Sequence, residues 1–112
     1  MAYSNAVLAA STVSLGFRMQ LDAVWERNLP LIRDRLDRLD IFVATLARGS
    51  ATPQQLEDAT DIAHKFSGSL GIFGYPAASQ TANNLERLLL ATEPNVENIR
   101  NAVQAIHTAL NL

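Results

Sequence analysis

One histidine in this chain sits where an imidazole could do chemistry. On a helical wheel turning by about 100° per residue, the apolar stripe Leu56, Ala59, Ala63, Phe66, Leu70 and Phe73 centres near Ala63 and Phe66. His64 falls about 130° from that centre and is expected to face water. Glu57, Asp61, Gly68, Gly71 and Tyr75 share its face. Two glycines inside a helix cost about 1 kcal/mol each relative to alanine. Their stripe is bare of side chains, and that clears the space a second surface needs to approach the imidazole. The spacing therefore suggests a docking site around a histidine, without identifying the chemistry. The plain alternatives are an ordinary surface histidine and glycines that let helices pack closely.

The rest of the composition narrows the setting. With 112 residues, 48% of them hydrophobic, the chain suits one domain with a single core. Its net charge of −2 argues against non-specific nucleic-acid binding, which needs a basic surface. The basic residues are eight arginines and one lysine, and that lysine, Lys65, adjoins His64. There is no cysteine, so disulfides, thiolate nucleophiles and Cys-based metal sites are absent. No apolar run reaches the length of a membrane span. The stretch from Ala6 to Phe17 has no preceding Lys or Arg and is broken by Ser11, Thr12 and Ser14, unlike a signal peptide. The expected location is the cytoplasm, with no membrane or nucleic-acid partner. The initiating Met1 and a helix-like C-terminus favour a free-standing protein.

The elements that must position His64 read as all helical. Residues 4–15 form a weak helix candidate ended by Gly16. Leu21, Trp25, Leu29, Ile32, Leu36, Leu39, Val43 and Leu46 then recur every three or four residues and share a face. The stripe keeps phase across Pro30, which favours one kinked helix over two. The charges Arg33, Asp34, Arg35, Asp37, Arg38 and Asp40 fill its solvated faces. After a turn at 49–51, Thr52-Pro53-Gln54-Gln55 carries a capping residue, a first-position proline and a capping-box partner. Gly74-Tyr75-Pro76 ends the His64 helix and opens the next, with core positions Ala78, Ala82, Leu85 and Leu88 or Leu89. Glu93-Pro94 opens the last, with Ile99, Val103, Ile106 and Leu110 inward. Short connections favour an up-down antiparallel four-helix bundle over residues 18–112, with an additional N-terminal helix in 1–17.

The segment Ala63-His64-Lys65-Phe66-Ser67-Gly68-Ser69-Leu70-Gly71-Ile72-Phe73-Gly74 resembles the motif around the phosphorylated histidine of histidine-phosphotransfer (HPt) domains. Asn84-Leu85-Glu86 is similar to that family's next helix. Trp25-Glu26-Arg27 with Pro30 is similar to a variant found near receiver domains. The close match covers about a dozen residues, the looser helical pattern most of 19–110. One position departs: the family often has Lys three residues after the histidine, where this chain has Ser67.

The resemblance implies a phosphocarrier. A receiver domain would bring an aspartyl phosphate to His64, whose Nε2 would attack phosphorus; the protein would supply positioning and charge stabilisation. Histidine side chains, titrating near ~6.5, offer a neutral nucleophilic nitrogen at cellular pH. Glu86 occupies the place where related domains carry a residue that bonds Nδ1; Asp61, one turn before His64, is the second candidate. Either Lys65 or Ser67 would stabilise the phosphoryl group. Gly68, Gly71, Asp61, Ile72 and Tyr75 would form the receiver-docking surface. The implied partners are receiver domains of response regulators and a hybrid sensor histidine kinase, with the chain itself monomeric. No nucleotide loop is present, so autophosphorylation is not expected. No cofactor is implied, and Mg²⁺ would reside on the receiver. Whether such a carrier counts as an enzyme stays open. His107 carries no expected function. A bundle that binds receiver or kinase without taking phosphate is the alternative, favoured by Ser67; a purely structural domain oligomerising through 19–48 is a third.

Overall fold

A computed structural model describes the backbone of residues 2–112 and the side chains of residues 15–112. Every regular element among the described residues is helical: α1 (Ala2–Ala47), α2 (Pro53–Ser69), α3 (Pro76–Leu90) and α4 (Val96–Leu110). Packing divides the chain into two compact units, Met1–Pro30 and Leu31–Leu112.

Within the first unit, Leu21, Val24, Trp25, Asn28 and Leu29 are half-buried. Leu15, Phe17 and Met19 are exposed. The Asn28 side chain donates to the Val24 carbonyl at 2.8 Å. The helix break expected at Gly16 does not occur, because α1 runs through it. Glycine weakens a helix but keeps its backbone donor, so it need not stop one. Pro30 also lies inside α1, in keeping with a stripe that holds phase across it. The separate helix expected over residues 4–15, and with it the additional N-terminal helix in 1–17, does not form as an element of its own: this backbone belongs to α1.

The second unit holds the core. Its most deeply buried large side chains are Leu36 and Leu39 of α1, Phe66 of α2, Leu70 just beyond it, Leu85 and Leu89 of α3, and Ile99 and Ile106 of α4. Each buried side chain of this size contributes about 1.5–3 kcal/mol. Leu89, and not Leu88, is the inward residue near the end of α3. At the periphery, Leu56 and Phe73 are only half-buried.

Local chemistry sets the helix ends. Thr52 Oγ1 accepts from the Gln55 amide at 3.1 Å, and Gln55 Oε1 accepts from the Thr52 amide at 2.9 Å. This reciprocal pair satisfies two donors that a helix start leaves orphaned. Helix α1 closes through Gly49 at φ 71°, with the Gly49 amide on the Leu46 carbonyl and the Ser50 amide on the Thr45 carbonyl. Only a left-handed residue makes that paired closure, which is why glycine stands there. Asn111, at φ 56°, ends α4 in the same way.

Candidate functional site

Helix α2 carries Ala59, Ile62, Ala63 and Phe66 inward, which turns His64 outward. Its imidazole is 71% exposed. Helix α3 buries Ala78, Ala82, Leu85 and Leu89. The residue after Leu85, Glu86, therefore lies at the edge of that stripe, half-buried beside α2. Glu86 Oε2 stands 2.9 Å from His64 Nδ1. A carboxylate only accepts, so Nδ1 carries the proton in this contact and Nε2 is left with its lone pair directed away from Glu86. The pair thus fixes which ring nitrogen keeps a free lone pair on this exposed imidazole.

Lys65 pairs within its own helix. Its Nζ is 2.9 Å from Asp61 Oδ2, one turn back on α2. The hydrogen bond from Lys65 holds the Asp61 carboxyl below its usual range; desolvation opposes it, and the charges of Lys65 and Arg35, with that of His64 when its ring is protonated, act in the same direction as the bond. Asp61 is thereby committed to Lys65, and Glu86 alone meets Nδ1. Ser67 Oγ donates to the His64 carbonyl at 2.7 Å and lines a cleft with His64, Asn83 and Glu86. On the opposite side of the imidazole, a groove is bounded by Glu57, Asp58, Asp61, Leu89 and Leu90.

The two glycines differ. A methyl group at Gly68 would meet nothing within 4 Å, so this face is bare, as its position predicts. Gly71 is not inside the helix: α2 ends at Ser69, and residues 70–74 form a turn. The turn closes through Gly74 at φ 96°, with the Tyr75 amide on the Leu70 carbonyl. A methyl group at Gly71 would touch Ser79 of α3 at 3.5 Å, an ordinary contact. Tyr75, placed by periodicity on the His64 face, instead precedes α3 as its N-terminal cap residue and is half-buried. The wheel failed for both because it extended α2 through a turn that Gly74 terminates. Ile72 lies in that turn and is 64% exposed.

Sequence reasoning missed Ser79, Gln80 and Asn83, which line the Ser67 side of the cleft. The signal was present: Ser79, Asn83 and Glu86 recur at steps of four and three, a polar stripe on α3. Ser79 Oγ donates to the Ser67 carbonyl at 2.6 Å and ties α3 to the end of α2. His107 lies apart from this site; its Nε2 is 2.9 Å from Asp40 Oδ1, an ion-pair geometry between α4 and α1. Among the described residues, no cluster of three or more His, Cys, Asp or Glu could hold a metal, and no helix is long and apolar enough to cross a membrane.

A family model described as Hpt domain matches residues 25–111. The chain is also similar to Protein RcaC of Microchaete diplosiphon, 38% identical over 66 residues, which is 59% of this chain and 10% of that protein. It thus spans only a tenth or so of that relative's length. No solved structure gives a significant match.

Proposed function

Since the chain belongs to the Hpt domain family, we propose that it is a phosphocarrier that takes a phosphoryl group onto His64 Nε2 from a receiver aspartate and passes it to another. The observation that supports this most directly is the 2.9 Å contact of Nδ1 with Glu86 beneath an exposed ring. In the forward step the Nε2 lone pair bonds to phosphorus, the P–O bond to the aspartate breaks, and its electron pair returns to the carboxylate. The Nδ1 proton remains shared with Glu86 throughout. The protein's contribution is orientation and a cleared approach at Gly68. Mg²⁺ acts from the receiver, and no ATP is consumed by this chain itself.

The receiver would dock over Gly68, with Ile72, Tyr75, Gly71 and Asp61 around it. Contacts of such transient encounters are small. Going forward on α2 from His64 to Ser67, the partner on α3 moves back from Glu86 to Ser79, as in an antiparallel pair of helices. The carrier works as a monomer, in the cytoplasm with its receiver and hybrid-kinase partners, and residues 1–112 act as one domain.

Incubation with a phosphorylated receiver should label the chain with acid-labile, base-stable phosphate. His64→Gln should abolish the label and leave helicity unchanged; a labelled His64→Gln protein refutes the assignment. One observation favours a second reading, a receiver-binding module that takes no phosphate: Lys65 is held by Asp61, and position 67 is a serine. Binding of the receiver with no label at any time would establish that reading instead.

A further inference from the structure

We infer that Asn83, together with the Ser67 hydroxyl, forms a neutral subsite for the phosphoryl oxygens on His64, in place of a lysine. This rests on the phosphocarrier reading above. A phosphoryl group on Nε2 brings about two negative charges at neutral pH, close to Glu86. It needs donors. The one lysine of the chain is held by Asp61 and lines neither recess that flanks His64. The groove on the Asp61 side is bounded by Glu57, Asp58 and Asp61, and like charge repels phosphate there. The cleft on the Ser67 side has no ionic wall besides Glu86 itself; Ser67, Ser79, Gln80 and Asn83 supply its polar surface.

Position selects Asn83 among these. It precedes Glu86 by three residues, about 4.5 Å along the axis of α3, so it lies one turn from the group that fixes the imidazole. Ser67 follows His64 by three residues on α2, the matching displacement. Among the described residues, the Asn83 side chain has no hydrogen-bond partner, so its two N–H donors are available without breaking a bond. Ser67 Oγ must release the His64 carbonyl, which keeps its helical partner, to donate outward. Ser79 is not available in this way because it holds the Ser67 carbonyl. Gln80 stands a turn of α3 further from Glu86 than Asn83 does.

The test uses potassium phosphoramidate, which needs no protein partner: Nε2 bonds to phosphorus, the P–N bond of the reagent breaks, and ammonia leaves. Amide spectra of ¹⁵N-labelled protein should show the Asn83 side-chain NH₂ shifting on phosphorylation, while those of Asn98 and Gln104 on α4 stay fixed. Asn83→Leu and Ser67→Ala should each slow labelling of His64 about fivefold, the loss of one hydrogen bond to a charged group at a partly exposed site. Helicity should be unchanged, since Asn83 is exposed. If His64 is labelled while the Asn83 amide stays put and both variants react at the parental rate, the subsite is overturned and the carrier stands. If label appears elsewhere and never on His64, the carrier reading falls and the subsite falls with it.

Discussion

Removing the Glu86 carboxylate tests the central geometry. In Glu86→Ala the imidazole loses the acceptor 2.9 Å from Nδ1 and is free to turn or to carry its proton on Nε2. A hydrogen bond to an ionised group contributes about 1.5–3 kcal/mol. Glu86 is only 21% exposed but the imidazole is 71% exposed, so water competes for Nδ1 and screens the contact. An effective loss of about 1 kcal/mol follows, or roughly fivefold in transfer rate. Glu86→Gln keeps an acceptor oxygen at the same reach and should stay within about twofold of the parent if orientation is what matters. Single-turnover transfer from a phosphorylated receiver, sampled by quench flow, separates these rates. Thermal melts should show little change for either variant, since the pair lies at the solvent edge of the core. If Glu86→Gln is as slow as Glu86→Ala, the carboxylate acts by charge and the orientation argument is wrong. If Glu86→Ala transfers at the parental rate, the contact has no part in function.

Three further outcomes are expected. Gly68→Ala should stabilise α2 by about 1 kcal/mol, because the site is open and alanine is the better helix former; the same variant should slow receiver transfer, and faster or equal transfer would remove the docking argument. Lys65→Gln should raise the Asp61 pKa toward its ordinary value, read by NMR titration of the carboxyl carbon, because the Lys65 hydrogen bond is the leading cause of its depression. The sign for stability follows: a depressed carboxyl stabilises the fold above its unfolded pKa and loses that contribution as pH falls through the folded value, so the variant should be less sensitive to acid below about pH 4. Thr52→Ala removes the acceptor for the Gln55 amide and should cost about 1 kcal/mol in urea unfolding, with the slope of the transition unchanged.

The helical core was legible because its signal is periodic: Ile32, Leu36 and Leu39 in α1, or Ile99, Val103 and Ile106 in α4, are spaced as burial on one face demands. Thr52 to Gln55 spelled a helix start in residue types alone. The exposure of His64 and its meeting with Glu86 followed from the same wheel and from the resemblance. What escaped depends on where a helix stops. Gly71 and Gly74 look alike in sequence, yet only Gly74 takes the left-handed conformation that closes the turn after α2. Moving that boundary from 74 to 69 shifts Gly71 and Tyr75 off the α2 face and brings Ser79 against α2. Side-chain commitments were equally hidden: periodicity places Asp61 near both Lys65 and His64, and only the folded geometry shows which cation takes it.

The bond from the Ser79 hydroxyl to the Ser67 carbonyl acts as a key between two rods. It lies seven residues before Glu86 on α3, about 10 Å along the axis, and fixes how far one rod can slide past the other. Apolar packing alone tolerates small slippage; a short hydrogen bond to a specified carbonyl does not. The alignment of carboxylate and imidazole is thus maintained from a distance by a hydroxyl that touches neither, and its natural readout is the spacing of the two groups, not the stability of the fold.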